Sequence, residues 1–347
     1  MEITEIPVDG YERVVEASDP ASGLNAIIAV HDTTLGPALG GLRMWPYETR
    51  EEALTDALRL ARGMTYKSAI AHTGLGGGKA VIIGDPSIKS EALYRAMGRL
   101  IESLGGLYIT AEDVNTKIAD LEHVRKETSY VTGLSKDIGS SGNPSPYTAR
   151  GCYLGMKSCA ERVFGKDSLQ GLRIGILGVG AVGSGLARFL AEEGAVVHAH
   201  DLEEERVQAL ANVGVISVTE EELLEMDLDI FSPCALGGIL NDDTIPQLGC
   251  RIVAGSANNQ LLGPGNGGML RERGILYAPD FVINAGGIIN VSCELLPKGY
   301  DEQVSLRMIE RIPRALHEVF DIAEHQGIPT ARAADHLAER ILAEGRS

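Results

Sequence analysis

The chain of 347 residues carries 48 acidic against 31 basic side chains, a formal net charge of -17 at pH 7, and is 44% hydrophobic. That length suits about two domains of ordinary globular composition, and that charge repels a phosphate backbone, which excludes nucleic acid as an expected partner. The longest nearly apolar run, Ile174 to Gly185, is rich in glycine and far short of the roughly 20 residues that cross a bilayer. The N-terminus MEITEIPVDGYERV has no basic or apolar leader region, so a cytoplasmic protein with no membrane partner is expected. Five cysteines without a C-x-x-C pair and eight histidines without H-E-x-x-H predict buried, reduced thiols and no metal.

In chain order, the apolar segments Leu24 to Val30, Ala80 to Gly84 and Leu107 to Ala111 read as strands bounded by turn residues. Thr49 with Glu52 three residues on makes a capping box, and Leu54, Ala57, Ala61 and Met64 follow at helical spacing. Ser90 caps a second helix, Glu91 to Leu104, stopped by Gly105 and Gly106. These elements describe a small α/β domain over residues 1–138. The segment GSSGNPSPYT, Gly139 to Thr148, is dense in small residues and proline ahead of a helix, and reads as a hinge beside an interdomain cleft.

Beyond the hinge, strands at Leu172 to Leu177, Ala195 to His200, Val215 to Val218, Asp229 to Ser232, Arg251 to Ala254 and Ile275 to Tyr277 follow one another. Helices at Ala181 to Glu193 and Glu203 to Ala211 lie among them. Such alternation predicts right-handed crossovers and a mostly parallel, doubly wound sheet over residues 139–327. The helical stretch Asp301 to Gln326 should kink or break at Pro313. The last helix, Ala331 to Ala343 within residues 328–347, is expected to pack back on the first domain. The fold class is α/β with two domains.

Gly178, Gly180 and Gly183 stand in G-x-G-x-x-G spacing after a strand and at the opening of a helix, with Val179, Ala181 and Val182 between them. The first glycine makes the tight turn, the second lets a pyrophosphate approach the backbone, and the third lets helix and strand pack. The second strand ends at Asp201, about 20 residues on, where a carboxylate accepts hydrogen bonds from ribose hydroxyls and repels a 2′-phosphate. The pattern predicts NAD in preference to NADP, a preference that Arg206, one helical turn further, would soften. The plain alternative is that the glycines serve packing alone.

Lys79 follows three glycines and opens an apolar strand, where desolvation and a nearby second ammonium, Lys67, would lower its pKa toward that of a usable base. Asp113 sits just past a strand end, where catalytic groups often project into a cleft. Taken singly, each has a plainer reading, a solvated lysine and a helix-capping aspartate.

At these residues the sequence resembles a known family. HDTTLGPALGG, GMTYK, LGGGKAVIIGDP, TAEDV, SSGNPSP, PCALGG, AGSANNQL and YAPDFVINAGGIINV, in that order between about Leu24 and Arg340, resemble the amino-acid dehydrogenase family of glutamate, leucine, phenylalanine and valine dehydrogenases, with its leucine-acting branch nearest. The resemblance implies NAD-dependent oxidative deamination of a branched-chain L-amino acid, leucine favoured, to the 2-oxo acid and ammonia, and the reverse reaction. It implies that Lys67 holds the substrate carboxylate, helped by Gly40 and Gly41. Lys79 activates water and polarises the carbonyl, and Asp113 shuttles protons of the amino nitrogen. Asn258 falls near substrate and nicotinamide, Thr148 falls near the nicotinamide amide, and Leu39, Ala111, Ile288 and Val291 fall around the side-chain pocket. Assembly into a homo-oligomer through the first domain is also implied.

The sequence departs from the family at Asn115, where glycine is usual, at Leu42, where threonine is usual, and at Ala181, where asparagine is common. CELLPKGY is longer than the matching segment. Two other functions compete: a dehydrogenase of aromatic amino acids such as phenylalanine or tryptophan, and a noncatalytic NAD-binding sensor. The retained Lys67, Lys79 and Asp113 argue against the sensor.

Overall fold

The computed structural model describes residues 1–346. They form two compact units: Met1–Asn143 together with Val291–Asp301 and the residues from Ala338 onward, and Pro144–Asn290 together with Glu302–Leu337.

In the first unit the elements run β1 (Glu2–Glu5), β2 (Arg13–Asp19), β3 (Leu24–Asp32), β4 (Ala38–Trp45), α1 (Arg50–Ile70), β5 (Gly76–Ile83), α2 (Glu91–Glu102), β6 (Tyr108–Glu112) and α3 (Ile118–Arg125). The sheet order is β1-β2-β3-β5-β4-β6, antiparallel from β1 to β5 and parallel where β4 sits between β5 and β6. β3 reads as one apolar run because both of its faces are buried, and its period of two divides it between two cores. Leu24, Ala26, Ile28 and Val30 join Tyr94, Met97, Leu100 and Ile101 of α2, whereas Ile27 and Ala29 join Ala53, Ala57 and Ala61 of α1.

The α1 cap is half of the expected box. Thr49 Oγ1 accepts from the Glu52 N–H at 3.1 Å, but the Glu52 carboxylate accepts from the Glu48 N–H instead of that of Thr49. The helix runs on to Ile70, which places Lys67 in its last turn.

In the second unit the order is α4 (Ser145–Phe164), β7 (Arg173–Leu177), α5 (Ala181–Glu192), β8 (Val196–His200), α6 (Glu204–Gln208), β9 (Ile216–Ser217), α7 (Glu220–Glu225), β10 (Ile230–Pro233), β11 (Ile252–Val253), α8 (Asn266–Glu272), β12 (Leu276–Tyr277), α9 (Asp280–Ile283), α10 (Gly286–Ser292), α11 (Glu302–Ile309), α12 (Ile312–Gln326) and α13 (Thr330–Gly345), of which α10 from Val291 and α13 from Ala338 belong to the first unit. The sheet, β12-β11-β10-β7-β8-β9, is parallel throughout. The strand order departs in both directions from β7, the doubly wound arrangement. The stretch Asp301 to Gln326 breaks into α11 and α12, with Pro313 in the first turn of α12, where a missing N–H leaves no helical hydrogen bond unmade. α6 is shorter than its sequence pattern, because a 3-10 turn at Ala211–Val213 and Gly214 at φ +88° end it.

The sequence places the domain boundary at 138/139 and assigns 291–301 to the second domain; in the structure the first crossing is at 143/144 and 291–301 belongs to the first unit. The cause is Glu294. Its carboxylate accepts from the N–H groups of Gly133 (3.0 Å) and Ser141 (2.9 Å) and from the hydroxyls of Ser140 (2.7 Å) and Ser141 (2.5 Å). Among the described residues, no helix is long and apolar enough to cross a membrane, and no cluster of three or more His, Cys, Asp or Glu could hold a metal ion.

Candidate active site

The site in the first unit follows from strand pairing. Gly41 pairs with Ala111 of β6, and Leu39 pairs with Gly77 of β5. Side chains two residues apart share a face, so Leu39, Gly41, Ala111 and Lys79 stand on one side of the sheet, and Asp113 follows Ala111 there. α1 covers that side, packing Ala57 and Ala61 with Val81. A Cβ on Gly77 would come within 2.0 Å of the Thr65 backbone nitrogen, so only glycine lets α1 approach so closely. Lys67, two residues beyond Thr65, is half-buried. The preceding glycine, Gly40, is packed against β5, and its carbonyl accepts from the Tyr108 hydroxyl at 2.7 Å.

Lys79 Nζ donates to Asp113 Oδ2 at 2.6 Å, and Arg43 Nε donates to the same oxygen at 2.9 Å. Arg43 Nη1 also donates to Asp56 Oδ2 of α1 at 2.8 Å, and the Tyr47 hydroxyl donates to that oxygen at 2.7 Å. Asp113 Oδ1 accepts from none of the described residues. The loop after β6 is fixed by Thr116, whose Oγ1 accepts from the Asp113 N–H at 2.9 Å and donates to the Leu42 carbonyl at 2.5 Å.

Lys79 is only 4% exposed. Burial pulls its pKa below the ordinary lysine value, with Asp113 opposing and Arg43 reinforcing that shift. Burial pushes the Asp113 carboxyl up, yet the Lys79 ammonium and Arg43 guanidinium outweigh it and hold the group at about 2. Glu112 is raised, first by burial and then by the Asp113 charge.

Two departures from the family pattern have physical explanations. Asn115 has φ +58°, the left-handed region that favours glycine and tolerates asparagine, and its Nδ2 donates to the Met44 carbonyl at 3.1 Å. Leu42 lies on the opposite face of β4 from Gly41, fully buried in the core with Met44, Ala80 and Tyr108. Both leave the Lys79 face of the sheet as it is.

In the second unit Gly178 ends β7 at φ +95°, where a Cβ would meet Ala235 at 2.8 Å. A Cβ on Gly183 would lie 2.1 Å from the Gly178 carbonyl oxygen, whereas one on Gly180 would meet nothing within 4 Å. The turn is therefore tight at both ends and open in its middle. Val179 is buried, its N–H donating to Asp201 Oδ2 at 2.8 Å, and Ala181 and Val182 open α5. Asp201 Oδ1 accepts from the Glu203 N–H at 2.9 Å, with the Arg206 guanidinium at 3.5 Å. A cavity of about 420 Å³ beside it is lined by Asp201, Leu202, Val207, Val218 and Thr219.

Asn258 is exposed, and its Oδ1 accepts from Asn284 Nδ2 at 2.8 Å. Thr148 donates to the Pro144 carbonyl at 3.2 Å and packs on Gly287, where a Cβ would come within 2.6 Å of its hydroxyl. Ile288 and Val291 lie on α10, 8% and 6% exposed. The first unit thus holds Leu39, Gly40, Gly41, Lys67, Lys79, Ala111, Asp113 and Val291, and the second holds Thr148, Asn258, Ile288 and the glycine fingerprint with Asp201. Sequence reasoning missed Arg43, Asp56 and Tyr47. The signal was there in β4, where Leu39, Gly41 and Arg43 recur at every second residue.

Two family descriptions match the chain: Glu/Leu/Phe/Val dehydrogenase, dimerisation domain, over residues 11–130, and Glutamate/Leucine/Phenylalanine/Valine dehydrogenase over residues 199–345. The leucine dehydrogenase of Geobacillus stearothermophilus is 55% identical over 334 residues, 96% of this chain and 90% of that protein. The valine dehydrogenase of Streptomyces virginiae is 47% identical over 342 residues, 97% of this chain and 95% of that protein. The crystal structure of L-tryptophan dehydrogenase from Nostoc punctiforme superposes with a TM-score of 0.86 at 43% identity, covering 97% of each chain.

Proposed function

Because the chain belongs to the Glu/Leu/Phe/Val dehydrogenase family, we propose that it catalyses NAD-dependent oxidative deamination of branched-chain L-amino acids, leucine favoured, and the reverse amination. The observation that carries this reading is the 2.6 Å pair of buried Lys79 with half-buried Asp113, on the sheet face that also bears Leu39, Gly41 and Ala111.

Bound nicotinamide supplies the acceptor for the hydride that leaves the α-carbon. The protein's own groups do the rest. Lys67 holds the substrate carboxylate, beside Gly40 and Gly41. Asp113 Oδ1 takes a proton from the amine, so that the nitrogen lone pair can form the C=N bond as hydride leaves. Lys79, neutral, takes a proton from the attacking water as its oxygen bonds to the imine carbon. Asp113 then returns its proton to the nitrogen, ammonia leaves as the C=O bond forms, and the Asp113 carboxylate so freed accepts the hydroxyl proton, Lys79 and Asp113 afterwards releasing their protons to solvent.

The turn at Gly178–Gly183 fits a pyrophosphate, since Gly180 leaves the helix N-terminus open to an anion. Asp201 would accept from the adenosine ribose, and the adjacent cavity has room for an adenine ring. We expect kcat/KM to be higher with NAD than with NADP. Asp201→Ser should narrow the gap and also lower the melting temperature, because that carboxylate holds the N–H of Val179 in place. Equal or better use of NADP by the native enzyme would remove the charge argument.

Leu39, Ala111, Ile288 and Val291 are all apolar, so a charged or hydroxylated substrate side chain would lose about 1 to 3 kcal/mol or more on unpaired burial. A panel of L-amino acids assayed by NADH absorbance should give leucine, isoleucine and valine as best substrates, with glutamate and serine poor. One methylene is worth about 10 to 200-fold against apolar groups, so the three should differ modestly. Phenylalanine or tryptophan exceeding all three in kcat/KM would promote the aromatic reading. Self-association through the first unit belongs to the same proposal, supported by the dimerisation description over residues 11–130 and the exposed edge strand β1. A cytoplasmic location also belongs to it.

A further inference from the structure

Arg43 is the one cation besides Lys79 in contact with Asp113 among the described residues. It donates Nε to the oxygen that Lys79 also holds, and it is itself held by Asp56, which takes Nη1 at 2.8 Å and a second hydrogen bond from Tyr47. Asp56 is further tied to Arg59 by a 2.9 Å bond to its other oxygen. Two cations on Oδ2 leave the second carboxylate oxygen, Oδ1, with no donor among the described residues. A carboxylate anchored through one oxygen cannot rotate to exchange the two, so the oxygen offered to a substrate nitrogen is fixed.

Resting on the dehydrogenase reading above, we propose that Arg43 is a positioning residue for the reaction. Its guanidinium pins Asp113 through Oδ2 against the Lys79 ammonium, reserves Oδ1 for the reacting amine, and is held in place by Asp56 and Tyr47. The arrangement is a charge relay in space, alternating Asp56, Arg43, Asp113 and Lys79 from α1 across β4 to β5.

The sign of each member's influence follows from Coulomb's law. Arg43 favours the anionic form of Asp113 and the neutral form of Lys79; Asp56 opposes it on Lys79, and by the same sign its negative charge opposes it on the nearby Asp113 carboxylate. The charged and titratable groups that bear on the pair among the described residues include Arg43 from β4, Asp56 from α1, and Glu112 and Tyr108 from β6. Deamination requires Asp113 as carboxylate and Lys79 as free amine, so activity falls on the acid side as either group is protonated. Removing Arg43 moves both pKa values up; removing the Asp56 charge moves both down.

The test is the pH profile of kcat/KM for leucine in the native enzyme and in Arg43→Gln, Arg43→Lys and Asp56→Asn. The acid limb should move up by about one pH unit or more in Arg43→Gln, return most of the way in Arg43→Lys, and move down in Asp56→Asn. An unshifted limb in folded Arg43→Gln, or an Arg43→Lys limb as displaced as that of Arg43→Gln, would overturn the proposal. If Arg43→Gln does not fold, Asp56→Asn decides alone: a downward shift supports it, and an unchanged or upward limb overturns it. A native enzyme that oxidises no amino acid refutes the dehydrogenase reading instead, an outcome visible before any variant is compared.

Discussion

Lys79→Ala and Asp113→Asn should each lower kcat at least about 100-fold, the lower range for losing a positioned acid or base. The two losses differ in origin. Without Lys79 the attacking water has no acceptor for its proton and the forming oxygen has no adjacent cation. Asparagine at 113 keeps the shape but supplies no base to the amine. Both proteins should remain folded, because Arg43 still pairs with Asp113 in the first, and in the second the amide can still accept from Lys79 through its oxygen. Deamination by the native enzyme should rise with pH, since the substrate amine and Lys79 must both lose a proton. NADH absorbance with circular dichroism on the same samples makes the measurement. Near-native turnover in a well-folded variant would take that residue out of the chemistry.

The adjacent glycines of β4 should fail in opposite ways. A Cβ on Gly41 would lie 2.7 Å from the Asp113 Cβ and 3.2 Å from Lys79 Nζ, so Gly41→Ala should displace the Lys79–Asp113 pair. A misplacement near 1 Å costs about 100-fold, and we expect a loss of that order in kcat/KM with little change in melting temperature. A Cβ on Gly40 would lie 1.7 Å from the Gly78 carbonyl oxygen, inside the β4-β5 ladder. Backbone cannot yield as a side chain can, so Gly40→Ala should cost about 3 kcal/mol or more of stability. Thermal unfolding beside kinetics separates the two, and a stable, inactive Gly40→Ala with an unstable Gly41→Ala would reverse the assignment.

That contrast bears on what the sequence could reveal. The doubly wound sheet was legible because its strands are short apolar runs separated by helical periods and glycine turns, and Gly178, Gly180 and Gly183 announce their own geometry. β4 was not. A Gly-Gly pair in ALGGLRMW depresses strand propensity, and the reason for the pair, close packing against Gly78 and Asp113, is a contact with residues distant in sequence. β1 was passed over for a related reason: EITE is exposed throughout and carries no buried-face signal. Lys79 and Asp113 could be singled out by their neighbours in sequence, whereas Arg43 acquires its meaning only from Asp56 and Asp113. Asn115 looked like a departure because conformation, which the residue satisfies, is invisible in a string of letters.

The anchoring of Glu294 on the loop from Gly133 to Ser141 has a consequence for protein engineering. Because residues 291–301 belong with the first unit while the chain on either side belongs with the second, no single cut yields a self-contained half. A chimera that exchanges the nucleotide half with a relative's must splice at 143/144, 290/291, 301/302 and 337/338, leaving the Glu294 segment with its serine partners. A two-piece fusion joined only at the hinge would graft a foreign glutamate segment onto Ser140 and Ser141, and would strand four donors if that segment lacked the carboxylate. Recombination among such enzymes is therefore constrained to four junctions used together.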